Sequence, residues 1–148
     1  MAGRPSCDLR AGAGKFSSRL ARATIDAYAA ALRLGDEQPD GGTMQEHLQR
    51  AAEHSARARE QLEEATVPCE TAYLVDWFSE LKRAALSTGM GPSVVTYPDI
   101  EAWRAATGHD PTPWEVEVIR KLDITANQHQ IKTSEDKSGR KGRKGRQQ

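Results

Sequence analysis

The residues of this chain whose type and spacing first suggest reactive or metal chemistry are its histidines, its two cysteines and one lysine set among glycines. Gly12-Ala13-Gly14-Lys15 has the look of a phosphate-cradling loop. That loop needs a Gly five positions before Gly14, where Leu9 stands, and a Ser or Thr after the Lys, where Phe16 stands. Its chemistry depends on those groups contacting phosphate and magnesium, so the motif fails. His47 and His54 lie seven residues apart on one helical pattern. Two helical turns place them about 10.5 Å apart along the axis, too far to ligate one ion, so they read as solvated face residues. Cys7 and Cys69 have no CxxC spacing and no His cluster beside them, and read as two free thiols. His109 precedes Asp110 in a turn, but no Ser or Cys is set beside it as a nucleophile. Asp99 and Glu115 are spaced as helix caps, which gives each acid structural work. The pattern is not that of an enzyme, and it calls for no cofactor and no metal.

The elements that position these groups are helices. Thr96-Tyr97-Pro98-Asp99 and Thr112-Pro113-Trp114-Glu115 repeat one grammar, a Thr three residues before an acid with a Pro in the first turn. The hydroxyl accepts from an early backbone N–H while the acid reaches back to the N–H of the Thr. Proline fits there because first-turn N–H groups have no intrahelical partner. Gly108 between the two starts is placed as a left-handed helix stop. Upstream, Leu74, Phe78, Leu81 and Ala85 share a face with Trp77 beside them, and Val95 is set to staple onto Ile100. Trp77, Trp103 and Trp114, all the tryptophans of the chain, fall in this stretch.

Thr43-Met44-Gln45-Glu46 is a third capping box, opening one polar helix to about Ala65 with a narrow stripe of Met44, Leu48, Ala51, Ala58, Leu62 and Ala65. Before it, residues 17–34 have helix-forming composition and end at Gly35. The expected architecture is all-α. Residues 1–16 are expected to be disordered, 17–66 to form a helical pair, 68–131 a three-helix module, and 132–148 a basic disordered tail. With 37% hydrophobic and 28% charged residues, the packed core is expected to be smaller than the chain. Net charge is zero, but Lys132, Lys137, Arg140, Lys141, Arg143, Lys144 and Arg146 face only Glu135 and Asp136 after residue 131, so the tail is +5 and the rest −5. No apolar run approaches the roughly 18–20 residues of a membrane span, and no apolar signal segment follows Arg4. The expectation is a soluble intracellular protein.

Two binding functions fit. The pair Tyr97–Thr107 and Pro113–Leu122 has the outline of a helix-turn-helix, with Arg140, Lys141, Arg143, Lys144 and Arg146 as phosphate contacts. Against it, the second helix opens with Trp114, Glu115 and Glu117, where base edges call for Arg, Asn or Gln.

The second follows from a resemblance. Asp76-Trp77-Phe78-Ser79-Glu80-Leu81, Gly89-Met90-Gly91-Pro92, Tyr97-Pro98-Asp99-Ile100-Glu101-Ala102-Trp103, Thr107-Gly108, Pro113-Trp114-Glu115-Val116 and Ile119-Arg120-Lys121-Leu122-Asp123 resemble, in order and spacing, the tail assembly chaperones of long-tailed phages and prophages. The resemblance covers about residues 72–124. It implies a protein that holds the tape-measure protein soluble, recruits tail-tube subunits, works in the host cytoplasm and is absent from the finished particle. An amphipathic helix docking in an apolar groove suits that role. Trp77, Phe78, Met90 and Trp103 are the expected contacts, Met90 as a pliable one beside a Gly-rich hinge.

Overall fold

The computed structural model describes residues 13–85 and 91–144. Six helices follow one another: α1 (Ala13–Leu34), α2 (Met44–Ala52), α3 (Ala56–Glu64), α4 (Ala72–Ala84), α5 (Tyr97–Thr107) and α6 (Pro113–Lys144). The fold is all-α; among the described residues, extended pairing is confined to one bridge between Glu37 and Thr43. No described helix is long and apolar enough to cross a membrane.

All three capping boxes form. The Thr43 hydroxyl accepts from the N–H of Glu46, and that of Thr96 from the N–H of Asp99, each with the reciprocal bond from the acid. At α6 the Thr112 N–H donates to Glu115 Oε2 at 2.6 Å, and the Glu115 N–H donates to Thr112 Oγ1 at 3.4 Å. Gly108 closes α5 at φ 73°, a conformation that costs Cβ-bearing residues energy. The core gathers Leu74, Phe78 and Leu81 of α4, Ile100 and Trp103 of α5, and Val118, Ile119 and Leu122 of α6, with Val95 and Ala21 joining them. Burying each large aliphatic or aromatic side chain contributes about 1.5–3 kcal/mol, so these few residues supply most of the cohesion.

Three boundaries differ from the sequence pattern. The polar helix of residues 44–65 is broken into α2 and α3 at Ser55, which takes an extended backbone (φ −127°, ψ 114°) and accepts from the N–H of Ala58. Serine competes for backbone bonds, and a cap inside the run lets Ala58 be buried as α3 turns toward α1. α1 starts at Ala13, ahead of the expected Ser17, and is part of the same core. Its buried positions Ala21, Thr24, Ala27 and Ala30 are small and admit close approach, while Tyr28 meets Phe78 edge-on at 5.7 Å. The third difference is α6, which continues past Ile131 to Lys144. Extending an existing helix needs no new nucleus, and Lys, Glu and Arg are good helix formers, so each added residue costs little. His129 against Asp36 at 2.9 Å and Lys137 near Glu37 at 3.8 Å hold this stretch beside the loop after α1. Residues 1–12 and 145–148 lie outside the described residues.

Candidate partner-binding surface

α4 has two working faces. One buries Leu74, Phe78 and Leu81; the other carries Tyr73 and Trp77 into an aromatic cluster shared with α5 and the turn after it. Trp77 packs edge-on to Tyr73 (5.0 Å between ring centroids) and to Trp103 (5.5 Å). His109 stacks on Trp103 at 4.7 Å with the rings 8° from parallel, and its Nδ1 lies 2.7 Å from the Thr107 hydroxyl. The turn that Gly108 makes is what brings His109 back over Trp103. The Tyr73 hydroxyl donates to Glu115 Oε1 at 2.6 Å, so one carboxylate both caps α6 and ties it to α4. Burial and then this carboxylate push the Tyr73 phenol well above its ordinary range.

A polar cluster fixes the chain that leads into α5. Lys82 Nζ donates to Asp123 Oδ1 and Asn127 Oδ1, each at 2.6 Å, and to the Ser93 carbonyl. Asp123 Oδ2 accepts from the buried N–H of Val95 at 3.1 Å. Asp123 is 3% exposed and fully committed, so it offers a partner nothing.

Between α1 and α6 lies an open cleft of about 450 Å³. Ala21, Ile25, Trp114 and Val118 form its apolar lining; Arg22, Asp26, Glu117 and Lys121 stand around them with both signs of charge.

The expected contacts are placed unequally. Trp77 is half-buried in the aromatic cluster, and Trp103 is 7% exposed beneath His109. Phe78 is 1% exposed and packs against Tyr28, so it can support a contact surface but not form one. Met90 lies outside the described residues, as does Arg146. Arg140, Lys141, Arg143 and Lys144 fall on the last turns of α6. The first turn of α6 is occupied: Trp114 lines the cleft with α1 and Glu115 bonds Tyr73, so a DNA groove would find that face already in use. His47 bonds Asp40 at 3.1 Å, and that hydrogen bond, with the one from the Gly42 N–H, holds the Asp40 carboxyl below its usual range. Among the described residues no three His, Cys, Asp or Glu side chains are grouped to hold a metal.

Sequence reasoning missed the α1 wall of the cleft and the Lys82–Asp123 pair. Both are contacts between residues far apart in the chain, with no local pattern to announce them. His109 stood in the sequence as a turn residue; its ring contact depends on the handedness of the Gly108 turn.

A family model described as phage tail assembly chaperone matches residues 51–127, from the end of α2 through the core of α6 and more than half of the chain. The chain belongs to this family. No match is found among curated proteins or among solved structures. The match starts well before residue 72, so α3 and the connection into α4 are part of the family unit, whereas α1 lies outside it. Membership of this family implies binding to tail proteins.

Proposed function

We propose that this tail assembly chaperone binds helical segments of the tape-measure protein, the tail-tube protein, or both, and keeps them soluble until the tube assembles. The observation that carries the reading is family membership across α3 to α6. The cleft between α1 and α6 supports the mode: an amphipathic helix laid over Ala21, Ile25, Trp114 and Val118 would bury its apolar stripe and leave its polar flanks to Arg22, Asp26, Glu117 and Lys121. Apolar burial drives such a contact, so it should persist at moderate salt. A second contact falls to Trp77, Trp103 and Met90, with Phe78 as packing.

Co-expression with the tape-measure protein and with the tube protein tests the reading. The expected result is a soluble complex that co-purifies at moderate salt. Ser18→Trp, which fills the cleft from an exposed position, should abolish capture while the circular dichroism spectrum stays the same. If Trp77→Ala abolishes it and Ser18→Trp does not, the aromatic cluster is the main site. A folded wild-type chain that captures neither protein sinks the proposal.

A further inference from the structure

The described residues leave five large apolar side chains exposed: Phe16, Val94, Tyr97, Ile124 and Ile131. Four of them gather on one side of α6. Arg120 lies over the Tyr97 ring at 4.4 Å, and Lys82 links the Ser93 carbonyl to Asn127. The segment 93–97 therefore runs along α6 between Arg120 and Asn127. Ile124 lies between those two on the same helical face, and Ile131 one turn beyond. Tyr97 is 59% exposed, Val94 58%, Ile124 51% and Ile131 49%, a concentration that scattered surface residues do not produce.

The charges along that face select an occupant. At helical spacing it reads Arg120, Ile124, Gln128, Ile131, Glu135. If a second α6 is laid antiparallel with Ile124 over Ile131 of the other copy, Arg120 falls opposite Glu135 of that copy. The two-fold axis makes every contact twice: two Ile–Ile pairs, two Arg–Glu pairs, and Gln128 near the axis. The same register sets the basic end of each α6 antiparallel to the first turns of the other, where Glu115 and Glu117 stand. Val94 and Tyr97 flank the seam and would be covered with it.

We infer that the Val94–Tyr97–Ile124–Ile131 band is a dimer interface in which α6 pairs antiparallel with α6 of a second copy. The inference is independent of client binding, because it is read from the purified chain alone. Sedimentation or light scattering of the full chain should give twice 16.3 kDa. The doubly substituted chain Ile124→Asp, Ile131→Asp changes exposed positions only, and should be a monomer with an unchanged circular dichroism spectrum. Arg120→Glu should weaken dimerisation by about tenfold, since it sets like charges at both ends of the seam. Adding Glu135→Arg to that chain should restore the dimer, a rescue that parallel pairing or a different seam would not give. A wild-type monomer at every accessible concentration overturns the inference, as does a dimer untouched by the paired Asp substitutions. Unchanged mass with lost client capture in the Asp variant would likewise overturn it, because the band would then serve another protein.

Discussion

Lys82 on α4 and Asp123 on α6 meet at 2.6 Å, and the second oxygen of the same carboxylate receives the N–H of Val95. One pair thus fixes two helices and the entry to a third. The Asp123 side chain is 5% exposed and that of Lys82 21%, so the two ends of the bond differ in what their loss leaves behind. Asp123→Ala strands a partly buried ammonium and an amide, and should cost about 3 kcal/mol, the lower end for a broken buried pair. Lys82→Ala should cost less, because the carboxylate keeps the Val95 amide and can reach Asn127. Urea midpoints of the two variants check the order; equal losses would mean that the Val95 bond contributes little.

The repeated Thr caps give a second measurement. Thr112→Ala removes the oxygen that receives the Glu115 N–H, and Thr96→Ala the one that receives the Asp99 N–H. Each should lower stability by about 1 kcal/mol. The Thr96 variant has a further signature. The Thr96 hydroxyl and then its backbone N–H hold the Asp99 carboxyl below its ordinary range. A depressed carboxyl contributes stability that is present above its unfolded pKa and lost as pH falls through the folded one. The stability gap between wild type and Thr96→Ala should therefore narrow on acidification. A gap that is constant from neutral to acidic pH would remove Asp99 from the account.

Tyr73 behaves in the opposite sense. Its phenol is raised by burial and by Glu115, so it contributes stability that is complete below the unfolded tyrosine pKa of about 10 and lost as pH rises through the folded value. Tyr73→Phe should be less stable than wild type at neutral pH by about 1 kcal/mol, the usual net worth of a hydrogen bond in a half-buried setting. From pH of about 10 upward the two should begin to converge. Thermal melts at neutral and alkaline pH read this directly; parallel curves would mean that the Tyr73–Glu115 bond is not made in solution.

Gly139 lies within α6, and a Cβ added there meets nothing within 4 Å. Gly139→Ala should favour the helical state locally by about 0.5–1 kcal/mol. Amide hydrogen exchange should slow through residues 132–144 while the global denaturation midpoint stays nearly unchanged. Exchange rates equal to those of wild type would show that this stretch of α6 is not helical in solution.

The helix starts and stops were readable in the sequence because capping is local: Thr, Pro and an acid within four residues, or a Gly at a left-handed position. The apolar faces of α4 and α6 were readable for the same reason, since their spacing is written along a single helix. The break at Ser55 was not legible, because the stripe from Met44 to Ala65 reads as one continuous helix and a lone Ser inside it carries little signal. The role of α1 was not legible. Its buried face is built from Ala21, Thr24, Ala27 and Ala30, which carry no strong hydrophobic signal, and its specificity includes a 2.6 Å bond between the hydroxyls of Thr24 and Thr71. Such a bond joins residues that no local pattern connects. Of the expected contacts, Trp103 and Phe78 are core, Phe78 because its ring sits one position round the helix from Trp77 and so faces α1, while Trp77 is half-buried.

The packing of α1 on α6 has a consequence for how the protein is made. The first helix and the last one described close on each other, so Ala21 and Ile25 cannot settle beside Val118 until α6 has left the ribosome. At roughly 5–20 residues per second, that leaves α1 waiting on the order of ten seconds. Through that interval the nascent chain shows the apolar side of α1 to the cell, and fragments that end before α6 should need rescue or be degraded. A tail assembly chaperone is thus itself exposed to aggregation during its own synthesis.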